Sequence, residues 1–136
     1  MRPAAPKAAK RKSPARAARA PGDAAGSALQ RLRRMCAGWA GLEERPSFGH
    51  PALRVGGVAF AVLDRYEDGD CLWLTVPADA RAALLATPGW FAAPYDPRRT
   101  ALCVRLDSID WRRIRAHVRV SYALAAASRV HRTRGR

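Results

Sequence analysis

The stretch Gly41-Leu-Glu-Glu-Arg-Pro-Ser-Phe-Gly-His-Pro-Ala-Leu-Arg-Val-Gly-Gly-Val-Ala-Phe-Ala-Val-Leu-Asp64 decides how this 136-residue chain is read. Its glycine pair, Gly56-Gly57, separates two short apolar runs, Ala52–Val55 and Val58–Leu63. Adjacent glycines can both take positive φ, as a type I′ turn requires, so the pair predicts a tight β-hairpin. Side chains alternate along a strand. Leu53 and Val55 are therefore expected on one face and Arg54 on the other. In the partner strand, Phe60 and Val62 should share a face, with small Ala59 and Ala61 permitting close packing on the second.

Upstream of this hairpin, Ser27-Ala28-Leu29-Gln30 reads as a capping box. Leu29, Leu32, Cys36 and Trp39 follow at helical spacing, and Arg31, Arg33 and Arg34 fall on the opposite, solvated face. Gly38 and Gly41 end that helix. Downstream, the acidic loop Asp64–Asp70 leads to a third strand, Cys71–Val76, in which Leu72 and Leu74 alternate with Cys71 and Trp73. Pro77 suits the first position of a short helix over Ala78–Ala86, stopped by Thr87-Pro88-Gly89. Strands are predicted at Trp90–Ala93 and Thr100–Leu106, joined by a loop carrying Pro94, Pro97 and Arg98-Arg99. The last helix, capped by Ser108 or Asp107, presents Trp111, Ile114, Val118, Tyr122 and Ala125 to the core. An Asp110–Arg113 pair is expected in its first turn. The whole is an α+β domain of order α-β(3)-α-β(2)-α, a two-layer fold with helices packed on an antiparallel sheet.

The formal charge of +14 is concentrated at the ends. Residues 1–22 hold Arg2, Lys7, Lys10, Arg11, Lys12, Arg16 and Arg19 without an acid, and residues 129–136 hold Arg129, Arg132, Arg134 and Arg136. About +3 is left for the body between them. Residues 1–26 are an Ala/Pro/Lys/Arg segment with too few large apolar side chains to offset its ordering entropy, and are expected to be disordered alone. The reading therefore divides the chain into a basic tail (1–26), a folded domain (27–128) and a second basic tail (129–136). No segment reaches the roughly 18–20 apolar residues of a membrane span, and the N-terminus lacks the apolar core of a signal peptide. Cys36, Cys71 and Cys103 are odd in number and lie in apolar runs, which points to buried reduced thiols and a cytoplasmic location.

Catalytic and metal-binding patterns are not seen. His50, His117 and His131 are scattered, without a His/Cys cluster at ligand spacing, and there is no P-loop, nucleophile elbow or dinucleotide fingerprint. The acidic loop (Asp64, Glu67, Asp68, Asp70) lacks the EF-hand pattern and reads as a solvated hairpin loop. His50 with Glu43, Glu44 and Arg54 is the one polar constellation, and a structural role is expected for it. No enzyme activity and no cofactor are expected.

Several motifs together resemble the MmcQ/YjbR family of small bacterial proteins, usually described as DNA-binding. They are Glu43-Glu44, Phe48-Gly49, Pro51-Ala-Leu-Arg-Val-Gly-Gly57, Phe60-Ala61, the Pro77–Ala86 helix and Val104-Arg-Leu-Asp107. The similarity covers about residues 28–130. It implies a secretion-chaperone-like α-β(3)-α-β(2)-α domain whose paired hairpins form a "double wing" suited to DNA. Two departures stand out: Val58 where relatives carry Lys, and Arg99-Thr100 where they often carry Gly-Trp. The loss of that lysine makes the hairpin a scaffold rather than a phosphate contact. The expected function is thus nonspecific or weakly specific DNA binding through phosphates, at the nucleoid. The expected DNA-binding residues in the tails are Lys7, Lys10, Arg11, Lys12, Arg16, Arg19, Arg129, Arg132 and Arg134. Those in the body are Arg98 and Arg99 of the loop and the ridge Arg112, Arg115 and Arg119. The alternative is a protein-interaction or homodimerisation module using a sheet edge or Trp90-Phe91.

Overall fold

A computed structural model describes residues 23–67 and 69–134. Helix α1 (Asp23–Cys36) precedes strands β1 (Leu42–Glu44), β2 (Ala52–Val55), β3 (Val58–Tyr66) and β4 (Gly69–Thr75). A 3-10 turn at Ala78–Ala80 leads into helix α2 (Arg81–Leu85), which is followed by β5 (Trp90–Ala92) and β6 (Ala101–Arg105). A second 3-10 turn, Leu106–Ser108, precedes the long helix α3 (Trp111–Arg134). The strands form one antiparallel sheet in the order β1-β2-β3-β4-β6-β5, with the helices packed on it. This is the expected α+β fold with one short strand added.

The hairpin forms as the glycine pair predicts. Gly56 and Gly57 have φ of 57° and 80°, and Val55 sits opposite Val58. Alternation then breaks. Leu53 pairs with Ala61 but Arg54 with Ala59, so Phe60 is an extra residue bulged out of β3. As a result Phe60, Ala61 and Leu63 all join the main core, and Val62 turns to the opposite face rather than sharing one with Phe60. The bulge also leaves a gap in the ladder to β4. Ala61 pairs with Leu74, so Phe60 and Thr75 would form the next rung. Ser121 of α3, fully buried, fills that gap. Its hydroxyl accepts from the Thr75 amide at 3.0 Å and donates to the Phe60 carbonyl at 2.6 Å.

The main core lies between the sheet and the helices, built from Leu29, Leu32, Leu53, Phe60, Leu72, Leu74, Val104, Ile114 and Val118. Trp39, Phe60 and Tyr122 stack at one end with centroids 4.9–6.2 Å apart. The Tyr122 hydroxyl donates to the Ala40 carbonyl at 2.6 Å, tying α3 to the turn between α1 and β1. On the sheet's other face a smaller cluster joins Cys71, Cys103, Ala93 and Ala101 with Tyr66, Trp73 and Phe91. Arg105 closes this cluster. Its guanidinium lies 4.6 Å over the Phe91 ring and donates to the carbonyls of Tyr66 and Gly69. The three cysteines are buried and free, and burial pushes the Cys36 thiol up to about 11.

Several boundaries differ from expectation. Ser27 is inside α1 and caps nothing, because buried Ala25 and Ala28 carry the apolar stripe one turn further upstream. Strand β1 contains Glu43-Glu44 and has no apolar alternation, so only its pairing with β2 reveals it. Pro77 precedes a 3-10 turn, not an α-helix. Helix α3 is capped by Asp110, not Ser108 or Asp107. Asp110 Oδ1 accepts from the amides of Arg112 and Arg113, and Oδ2 pairs with Arg113 at 3.7 Å. Helix α3 also continues through residues 129–134, a stretch that its charge alone marks as a tail.

Candidate nucleic-acid interface

Packing α1 beside α3 places two arginine-bearing helix faces together. Arg31 and Arg34 of α1, with Arg112 and Arg115 of α3, line a shallow depression of about 490 Å³ floored by Met35 and Trp111. The Arg31 guanidinium lies 5.3 Å over the Trp111 ring, which orients it without neutralising it. Among the described residues none of these four arginines has a carboxylate partner, whereas neighbouring Arg33 is held by Glu44 in a two-pronged bond of 2.7 and 2.8 Å. That bond holds the Glu44 carboxyl below its usual range. The depression is therefore a cationic surface without a paired carboxylate among the described residues.

The expected DNA-binding residues are distributed as follows. Arg112 and Arg115 line this depression. Arg119, about one turn beyond Arg115 on α3, does not line it and lies 5.1 Å over the Trp39 ring. Arg98 and Arg99 are exposed in the β5–β6 loop, apart from the α3 ridge. Arg129, Arg132 and Arg134 lie in the last turns of α3. Lys7, Lys10, Arg11, Lys12, Arg16 and Arg19 lie outside the described residues. Arg31 and Arg34 also line the depression but are not among the expected residues, since alone they form an ordinary solvated face. Their i, i+3 spacing matches that of Arg112 and Arg115, but only the packing of the two helices sets the pairs side by side.

The polar constellation around His50 does not assemble as the sequence suggests. Glu44 is taken by Arg33, and Glu43 accepts from the Gly57 amide. Arg54 donates to the carbonyls of Arg45, Pro46 and Gly57. His50 Nε2 instead lies 3.2 Å from Asp64, whose other oxygen accepts from the Tyr66 hydroxyl at 2.7 Å. Burial first, then this bond, raise the Tyr66 phenol. Of the acidic loop, Asp70 pairs with Arg65 and Glu67 with Arg105, and Asp68 lies outside the described residues. Trp90 and Phe91 are packed inward, Trp90 edge-on to His117 and Phe91 between Tyr66 and Arg105.

A family model described as YjbR matches residues 37–124. The chain belongs to the YjbR family. Among solved structures, it is similar to a Pseudomonas syringae protein at 15% identity, covering 71% of this chain and 97% of that one, with a TM-score of 0.59. A Deinococcus radiodurans protein with a DUF419 domain aligns at 22% identity over 71% of this chain and 76% of that one, also with a TM-score of 0.59. These likenesses show a shared fold. A search of curated proteins returned no match. The family match covers the sheet and most of α3, but begins after Arg31 and Arg34.

Proposed function

We propose that the protein binds DNA nonspecifically or with weak specificity, through phosphate contacts, in the cytoplasm at the nucleoid. The observation that carries this is the set Arg31, Arg34, Arg112 and Arg115, gathered around Trp111 with no carboxylate partner among the described residues. Guanidinium groups suit phosphate oxygens because they donate two parallel hydrogen bonds and stay charged at any working pH. Neutralising phosphates releases condensed counter-ions, so affinity falls steeply with salt. The lysines and arginines of residues 1–22 add to this effect without needing fixed geometry.

The test is a salt titration of duplex binding by fluorescence anisotropy. Full engagement of the seven cations of residues 1–22 contributes a log–log slope of about −6, at about −0.9 per phosphate, and deleting that segment removes it. Changing Arg31, Arg34, Arg112 and Arg115 to Gln in the full chain makes the slope shallower by about 0.9 for each phosphate no longer neutralised. These side chains are exposed, so folding, checked by circular dichroism, is retained. A slope unchanged by the quadruple substitution rules out this face as the binding surface.

A further inference from the structure

The sheet face opposite the helices carries a second concave surface. There a groove of about 510 Å³ runs between the loop before β2 and the loop after β5. This volume is within the range of small-ligand sites. Its rims hold Phe48 and Tyr95, exposed at 97% and 96%, which makes them the most exposed large apolar side chains described. Both sit in the left-handed backbone region, at φ of 51° and 58°. This is a conformation that a bulky residue adopts against its own steric preference. Neither ring contributes to a core cluster; the backbone at Phe48 is set by the tight turn in which Ser47 and His50 exchange both hydrogen bonds, which leaves its ring facing solvent.

The rest of the groove has matching chemistry. Val62, Ala59 and Trp73 line it with apolar surface, while the His50–Asp64–Tyr66 chain supplies polar atoms along it. Exposed arginines lie close in sequence to each aromatic, Arg45 three residues before Phe48 and Arg98 and Arg99 three and four residues after Tyr95, outside the residues that line the groove. None of the three has a carboxylate partner among the described residues. An exposed ring at each rim of an apolar groove, with arginines a few residues along each loop, suits a ligand that is flat and apolar in one part and anionic in the next. Duplex DNA presents only phosphates and groove edges, and keeps its base faces stacked internally. A single strand offers both features at each nucleotide.

We propose that this groove binds unpaired bases of single-stranded nucleic acid, stacked on Phe48 and Tyr95, with phosphates at Arg45, Arg98 and Arg99. The site is independent of the arginine face proposed for duplex phosphates and lies on the other side of the sheet. The experiment measures binding of the full chain to labelled oligothymidylate and to an abasic strand of equal length and charge. The oligothymidylate is expected to bind about tenfold tighter, and Phe48→Ala or Tyr95→Ala to remove most of that difference. Phe48→Gly and Tyr95→Gly separate a binding role from a structural one, because glycine accepts positive φ. They are expected to leave thermal unfolding unchanged or raised while losing the base-dependent binding.

Equal affinity for the base-bearing and abasic strands overturns the proposal. So does base-dependent binding that survives the double aromatic substitution. Sedimentation showing a dimer that Phe48→Ala/Tyr95→Ala dissociates also overturns it, since the rings would then be covered by a second copy. The quadruple arginine variant keeps the base-dependent difference even if duplex binding is lost, so the two proposals fail separately.

Discussion

Ser121 shows how much can depend on one hydroxyl. It replaces a missing rung between β3 and β4 and is the one buried polar side chain described. Ser121→Ala leaves a buried amide and a buried carbonyl without partners, at about 1–3 kcal/mol each in full. Because the two can partly re-approach, a loss of about 2–4 kcal/mol is expected, read as a lower denaturation midpoint at unchanged slope. Ser128→Ala, on the exposed side of the same helix, should stay within about 0.5 kcal/mol of the parent. Gly56-Gly57 is legible in the sequence because two glycines in succession have few uses besides a primed turn. The bulge at Phe60 is not. Nothing local distinguishes Phe60-Ala61-Val62-Leu63 from a regular strand, and the flip of Val62 depends on a serine 61 positions away from Phe60. Phe48 and Tyr95 do not stand out as binding residues by spacing or charge either. The signal they do carry is a bulky aromatic inside a Gly- or Pro-rich loop, where no core can receive it.

At the scale of elements, α3 holds the edge strand β5 through the edge-on contact of His117 with Trp90, centroids 5.3 Å apart. Burial lowers the His117 pKa below the ordinary 6.5, so the folded protein keeps it neutral where the unfolded chain takes up a proton. More protons are then bound in the unfolded state, and stability falls as pH drops through about 6.5 toward the folded value. The expected outcome is a lower melting temperature at about pH 5.5 than at pH 7.5, with the difference reduced in His117→Gln. The same scale explains which elements the sequence announces. Strands β4 and β6 alternate because each divides its side chains between apolar clusters on the two faces of the sheet. Strand β1 cannot be seen, since a three-residue edge strand bearing two glutamates gains its identity from its neighbour. The cap of α3 is ambiguous in sequence because Asp107, Ser108 and Asp110 all have suitable side chains. The 3-10 turn at Leu106–Ser108 delays the helix until Asp110 can reach two of its amides.

For the whole molecule, the sheet is a partition. One face is covered by helices whose outer surface carries Arg31, Arg34, Arg112 and Arg115, and the other bears the groove between Phe48 and Tyr95. Substitutions on the two surfaces are far enough apart to act independently, so their effects on binding a strand with both duplex and single-stranded parts should add within about 0.5 kcal/mol. A combined variant that departs from additivity by more would show that one ligand segment reaches both surfaces. The fold class is readable because it rests on periodicity and turns. The arginine face is half readable: the α3 ridge is visible, but its α1 counterpart depends on how two helices distant in sequence come to lie side by side.

The bridging hydroxyl has one more consequence, for the order in which the chain is made. Strands β2, β3 and β4 follow one another closely and can pair as soon as they are synthesised, yet the rung at Phe60 and Thr75 waits for a residue on α3. Until that helix leaves the ribosome, the nascent sheet presents an open apolar face and an unanswered carbonyl at the same spot. Completion of the domain is thereby tied to the late arrival of one helix, and a chain stalled before it is the species a chaperone would recognise.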